Sequence, residues 1–282
     1  MDEEQILLNS ASPQAAVLVC LFYGLMLLAG TAAAIILIIR AIRHPVDWNT
    51  RDQWLRSRPW TWREGLMVAA IVGFLIAATM ALITLLGRPR DAILIVTQGL
   101  LLDLAGIIAI GAILRNRGWS WLDAFGMGGP PGRFLKSGLL FYLALLPVLL
   151  FSSIVYQGIL TARGYPPSLQ DIALLLSGDH PLWMRCFMVF LAVAVAPFFE
   201  ECLFRGILLP IMIRRMGVGA GIFFVSLFFA SIHAHLPSLI PLMVVAAGFS
   251  LAYLYSRSLW VPIVMHGVFN GVNLAMLLIL RP

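Results

Sequence analysis

Lysine is almost missing from this chain: Lys136 is the single one, and every other basic side chain apart from histidine is arginine. Charge of either sign is scarce, at 11% of residues, where a soluble domain carries about 25%. That scarcity excludes a water-soluble globular protein. Cysteine is scarce as well. Cys20, Cys186 and Cys202 make no even framework and show no zinc-site spacing, which excludes a disulfide scaffold. Each reads as a small apolar residue in or beside an apolar run. The sequence has no HExxH, and its glycine-rich stretch GMGGPPGR at 126–133 has no Walker-type lysine, so the stretch reads as a hinge or turn and not as a phosphate loop. A cleavable leader is not expected either. The first residues, MDEEQILLNSASPQ, are acidic and lack a basic region, and the first apolar run is too long for a signal segment.

Apolar residues fill the space that charge vacates: 61% of the chain is hydrophobic and the mean hydropathy is +0.95. Apolar runs at 15–39, 65–86, 92–114, 137–160, 186–213, 218–236, 239–255 and 260–280 predict an all-α fold. The expected architecture is a polytopic transmembrane bundle of about eight helices, since about 20 apolar residues cross a bilayer core. The sequence divides at 136, into three N-terminal spans with their Arg/Trp loop (1–136) and a C-terminal core (137–282). The net charge of +6 does not point to nucleic acid, because the basic residues sit in short loops, where they set orientation. The odd-numbered loops hold thirteen Lys and Arg and the even-numbered side five. This puts the odd loops in the cytoplasm and both termini outside, as a multi-pass protein of the plasma membrane. Arg214 and Arg215 read as orientation charges. Loop one mixes Trp48, Trp54, Trp60 and Trp62 with arginine, which predicts an interfacial segment in the headgroup layer.

Ionisable side chains inside a span cost on the order of 2.5–3.5 kcal/mol each for Asp, Lys or Arg at the helix centre, so a chain that keeps several together usually uses them. Here they gather in the last 90 residues. Glu200, Glu201 and Arg205 lie in the fifth run, His233 and His235 at the end of the sixth, and His266, Asn270 and Asn273 in the eighth. Glu201 and Arg205 are four apart and can pair on one helix face, which leaves Glu200 turned elsewhere. Phe229 and His233 are four apart, so ring and imidazole can pack together. Pro237 suggests that His235 sits at a helix end. His266, Asn270 and Asn273 form one polar stripe. Asn273 reads as an interhelical hydrogen-bonding residue, and Asp103 in the third run reads as a structural polar contact more than a cavity group.

The series Glu-Glu-x-x-x-Arg at 200–205, Phe-x-x-x-His at 229–233 and His-x-x-x-Asn at 266–270 resembles the CAAX prenyl protease type 2 and bacteriocin-processing family of intramembrane proteases. The resemblance covers roughly 197–275. It implies an endopeptidase that cuts near the C-terminus of a membrane-associated protein or processes a peptide. In that reading Glu200 is the general base, His233 holds the water, and His266 and Asn270 donate to the oxyanion. Glu201, Arg205 and Phe229 would support them. No cofactor is expected, although Glu200, His233 and His266 would also suit an open His-His-Glu zinc site. The expected partners are the lipid bilayer and a peptide or membrane-protein substrate, with no nucleic acid. A non-catalytic scaffold or immunity protein of the same fold and, last, a proton-coupled transporter are the competing classes. On the run boundaries alone, His233 and His266 differ in depth by roughly 14 Å at 1.5 Å per residue. A shared site therefore requires run seven to be short and tilted, or the 255–259 connection to be recessed.

Overall fold

The computed structural model describes residues 13–85, 92–165, 168 and 180–280. The acidic N-terminus and three charges of the orientation count, Arg88, Arg90 and Arg281, lie outside the described residues. Inside a bilayer every backbone N–H and C=O must be satisfied within the protein, which leaves helices as the form open to these runs. Among the described residues there is no strand. The helices are α1 (Pro13–Arg43), α2 (Trp48–Arg56), α3 (Trp62–Leu85), α4 (Ala92–Arg117), α5 (Trp121–Phe125), α6 (Pro131–Ala162), α7 (Leu182–Ile232), α8 (Leu239–Ser256) and α9 (Trp260–Leu280). Seven of them, all but the short α2 and α5, are long and apolar enough to cross a membrane.

The expected fifth and sixth runs are one continuous element. At 51 residues, a straight α7 would be about 77 Å long, more than twice the ~30 Å hydrocarbon core. The chain avoids this by reversing at Gly217, whose φ of 83° and ψ of 172° are not helical. A Cβ placed on Gly221 would lie 2.7 Å from Ile213 Cγ1, although eight residues of straight helix span about 12 Å. The two limbs therefore lie against each other, so the seven long helices of the described residues make eight limbs. The second limb, 218–232, is roughly 22 Å long at 1.5 Å per residue. It falls short of a full crossing, so His233 at its end is recessed. The sixth run ends at Ile232, four residues before its expected limit, and α8 begins at Leu239 after a 3-10 turn over Leu236–Ser238. The 257–259 connection is recessed too: Ser258 and Leu259 are buried, and the Leu259 N–H donates to the Phe125 carbonyl at 3.1 Å.

Loop one packs part of its length into the protein. Asp47 caps α2 by accepting from the Asn49 and Thr50 N–H groups, and α2 packs on α7 and α8. Leu55 and Trp60 are buried in the main core beside Phe125, Phe204 and Tyr253. The Trp54 ring stands 5.4 Å from that of Tyr253. Trp48 and Trp62 alone of the four stay exposed. Arg214 is more than an orientation charge: its guanidinium donates to the carbonyls of Arg56, Arg58 and Trp60 and so fastens the end of loop one to α7. The GMGGPPGR stretch is a packed turn. Gly126 sits in the left-handed region at φ 67°, and a side chain there would collide with the Arg257 carbonyl.

Candidate active site

The site is built on the first limb of α7, where proline disturbs the hydrogen-bond register. The Ala196 N–H bonds the Leu191 carbonyl five residues back, closing a π turn over Leu191–Val195. In the same register the Ala192 carbonyl would need a donor from residue 197, which is proline and has none. Asn270 supplies it from α9, its Nδ2 donating to the Ala192 oxygen at 2.7 Å. A second π turn, Cys202–Leu208, carries Arg205 and runs up to Pro210. Turns of this kind concentrate at functional sites because they re-aim side chains within a helix.

Glu201 is the hub. Its Oε1 accepts from Arg205 Nη1 at 2.6 Å and from His266 Nδ1 at 2.9 Å. Glu201 and Arg205 are fully buried, and His266 is 4% exposed. Arg205 also donates to the Ala246 carbonyl of α8 at 3.1 Å. Its guanidinium lies between the rings of Phe229, 4.6 Å away, and Phe249, 5.2 Å away. A buried charge is tolerated when paired and hydrogen-bonded; here the two charges pair and join α7, α8 and α9, while Glu201 Oε2 and Arg205 Nε are buried without a hydrogen-bond partner.

With Nδ1 of His266 held by a carboxylate, its Nε2 points the other way, and Glu200 Oε2 lies 3.8 Å from it. That oxygen is buried and has no hydrogen-bond partner. His233 is arranged in the same sense. Its Nδ1 donates to the Phe229 carbonyl at 2.7 Å, which turns Nε2 away from its own helix. The His233 and His266 rings pack on Phe229 at 4.9 and 5.7 Å. Phe229 therefore joins the two histidines that the run boundaries had set at different depths. Among the described residues, no hydrogen bond or ion pair links His233 directly to Glu200.

The structure thus joins Glu201, Arg205, Phe229 and His266 through direct contacts, brings Glu200 to 3.8 Å from His266, and adds His233 through Phe229. Asn270 faces the π turn beside them. Among the described residues Asn273 bonds within its own helix, its Nδ2 donating to the Phe269 carbonyl at 2.9 Å. One neighbour escaped the sequence reading: Phe249 stacks on His266 at 5.2 Å, and nothing in the spacing of an apolar α8 marks it out. α4 reaches the site because the Phe199 ring packs where a Cβ of Gly106 would stand, and it carries Asp103, which the sequence offered as a structural polar contact. An open groove of about 810 Å³ runs between α6 and the 237–241 turn, lined by Ser153, Gln157, Thr161, Pro237 and Pro241 among others. It lies beside the turn that follows His233. Among the described residues, no group of three or more His, Cys, Asp or Glu side chains is placed to hold a metal ion.

The described residues form a polytopic helix bundle in which carboxylates and histidines from α7 and α9 meet. Residues 181–272 match the family described as type II CAAX prenyl endopeptidase Rce1-like. This supports the resemblance drawn from the three motifs, and peptidase activity at the level of the family. Comparison with curated proteins and with solved structures gives no match.

Proposed function

We propose that this chain is an intramembrane endopeptidase of a cell membrane. It hydrolyses a peptide bond near the C-terminus of a membrane-associated, CAAX-like protein or of a bacteriocin-type peptide. The observation that carries the reading is the unpartnered Glu200 Oε2 facing Nε2 of a His266 whose other nitrogen is held by Glu201. A carboxylate with a free buried oxygen is suited to take a proton from water. In this mechanism Glu200 removes that proton as the water oxygen adds to the scissile carbonyl. His233, with Nε2 directed off its helix, holds the water.

His266 with a proton on Nε2, and the Asn270 amide hydrogen not used on Ala192, donate to the oxyanion. The tetrahedral intermediate then collapses, the C–N bond breaks, and Glu200 passes its proton to the leaving amine. Glu201 and Arg205 act through His266 and not on the substrate. The donor geometry supports a metal-free route, and no step is drawn through an ion. The test is a screen of CAAX-like and bacteriocin-leader peptides with the wild type and Glu200→Gln side by side. Wild-type cleavage that Glu200→Gln abolishes, with unchanged thermal unfolding, is the expected result. Full turnover by Glu200→Gln overturns the mechanism.

A further inference from the structure

Of the twelve arginines on the face that the charge bias assigns to the cytoplasm, four have partners for their side chains among the described residues. Arg56 pairs with Asp52 at 2.7 Å and Arg117 with Glu64 at 2.7 Å. Arg58 and Arg214 donate to backbone carbonyls. Three others differ. Arg51 on α2, Arg133 in the first turn of α6 and Arg257 at the end of α8 come from distant parts of the sequence. Nevertheless, the Phe141 ring of α6 stands 5.2 Å from that of Tyr255, two residues before Arg257, and Arg51 lies over the same Tyr255 ring. Thus α2, α6 and the end of α8 meet here, where Arg257 and Arg133 both act against the Arg51 charge. Burial first, and then these two neighbours, lower the proton affinity of the Arg51 guanidinium.

No ion pair or side-chain hydrogen bond to any of the three is found among the described residues. Asp47 is the one carboxylate acting on Arg51. Its oxygens are already committed to the Asn49 and Thr50 N–H groups and the Thr50 hydroxyl.

Two further observations set the chemistry. Arg257 holds φ 57° as the left-handed cap of α8, a position that normally takes glycine or asparagine, and its side chain is exposed. Arg51 stands over the Tyr255 ring at 5.9 Å, and the half-exposed Trp48 flanks that ring at 6.3 Å. Tyrosine and tryptophan of this amphipathic kind favour the membrane–water boundary. Arg133 and Arg257 mark the ends of two spanning helices, so the cluster sits at the level of lipid phosphates. Guanidinium groups bind phosphate oxygens through paired N–H donors.

We infer that Arg51, Arg133 and Arg257 form a binding site for the phosphate of an anionic phospholipid headgroup, with Tyr255 and Trp48 as its aromatic wall. The bound phosphate takes the place of the missing carboxylate. It ties α2, α6 and the α8–α9 connection together at the membrane surface. This inference does not depend on the proposed peptidase activity.

The test uses the purified full chain in a neutral detergent. Thermal unfolding is followed with phosphatidylglycerol, with phosphatidylcholine, or with inorganic phosphate at matched concentration. Phosphatidylglycerol is expected to raise the Tm well above the other two. The triple variant Arg51→Gln, Arg133→Gln, Arg257→Gln should lose at least half of that increment. A control with Arg40→Gln, Arg43→Gln and Arg115→Gln, which removes the same charge elsewhere, should keep it. Arg257→Gly, which relaxes the backbone as it removes one charge, should fold normally and show a reduced increment, so a misfolded triple variant does not end the test. Equal increments in the wild type and Arg257→Gly overturn the site. Equal loss in the control, or an equal response to phosphatidylcholine, overturns it as well. Full reproduction by inorganic phosphate overturns the lipid as its source.

Discussion

His266 on α9 donates through Nδ1 to Glu201 on α7 at 2.9 Å, and the same carboxylate oxygen takes Arg205 at 2.6 Å. One buried anion therefore fixes both the His266 imidazole and a buried cation. Glu201→Ala should cost about 3–5 kcal/mol, because it leaves the Arg205 charge in a dry core without its partner. The double variant Glu201→Leu, Arg205→Met removes both charges and should unfold at higher temperature than Glu201→Ala. Calorimetry or a dye-based melt distinguishes the two. If the double variant is no more stable than the single one, the pair is not the coupled unit described here.

Asn270 has two separable jobs. Asn270→Ala strands the Ala192 carbonyl that Pro197 has already deprived of a helix donor, at a cost of about 1–3 kcal/mol. In the proposed mechanism it also removes an oxyanion donor, so kcat should fall about 10²–10³-fold. Asn270→Gln, which keeps an amide, should recover more of the stability than of the rate. Equal recovery of both would assign Asn270 to structure alone.

Gly106 sets how α4 meets the site. Because the Phe199 ring occupies the place of a Cβ, Gly106→Ala should force ring and helix apart and cost about 1–3 kcal/mol. The rate should fall too, since Phe199 precedes Glu200. Gly99→Ala on the same helix meets nothing within 4 Å and serves as the control. Its melt should match or exceed the wild type, and a Gly106→Ala protein that does the same would remove α4 from the account.

Metal dependence separates the two forms of peptidase chemistry. The purified protein, treated with a strong chelator and dialysed, should retain its cleavage rate. Elemental analysis of the same sample should find no stoichiometric zinc. Loss of activity restored by zinc would instead assign Glu200, His233 and His266 to an ion.

His233 should matter for the rate and little for the fold. Its Nδ1 bond returns to its own helix at Phe229, so His233→Ala breaks no tie between helices. A large fall in kcat with a shift of a few degrees or less in Tm is expected. A fall in Tm matching that of Glu201→Ala would make His233 a structural residue.

Much of this was already present in the sequence, for local reasons. The length and polarity of the apolar runs decide that the chain crosses a bilayer as helices, since backbone groups in lipid have no other donors and acceptors. The four-residue spacings of Glu201–Arg205 and Phe229–His233 decide those contacts, because neighbours one turn apart meet on any helix. The partners chosen by the free atoms were a different matter. That Glu201 holds His266, that Asn270 answers the carbonyl left by Pro197, that Asn273 bonds its own helix, and that Trp54 and Trp60 pack into the protein core all depend on which faces of distant helices meet. The reversal at Gly217 and the short second limb of α7 settle those meetings. They bring Phe229 between two histidines that helix lengths alone had placed at different depths, since packing between helices, and not position along any one of them, sets the depth of a side chain.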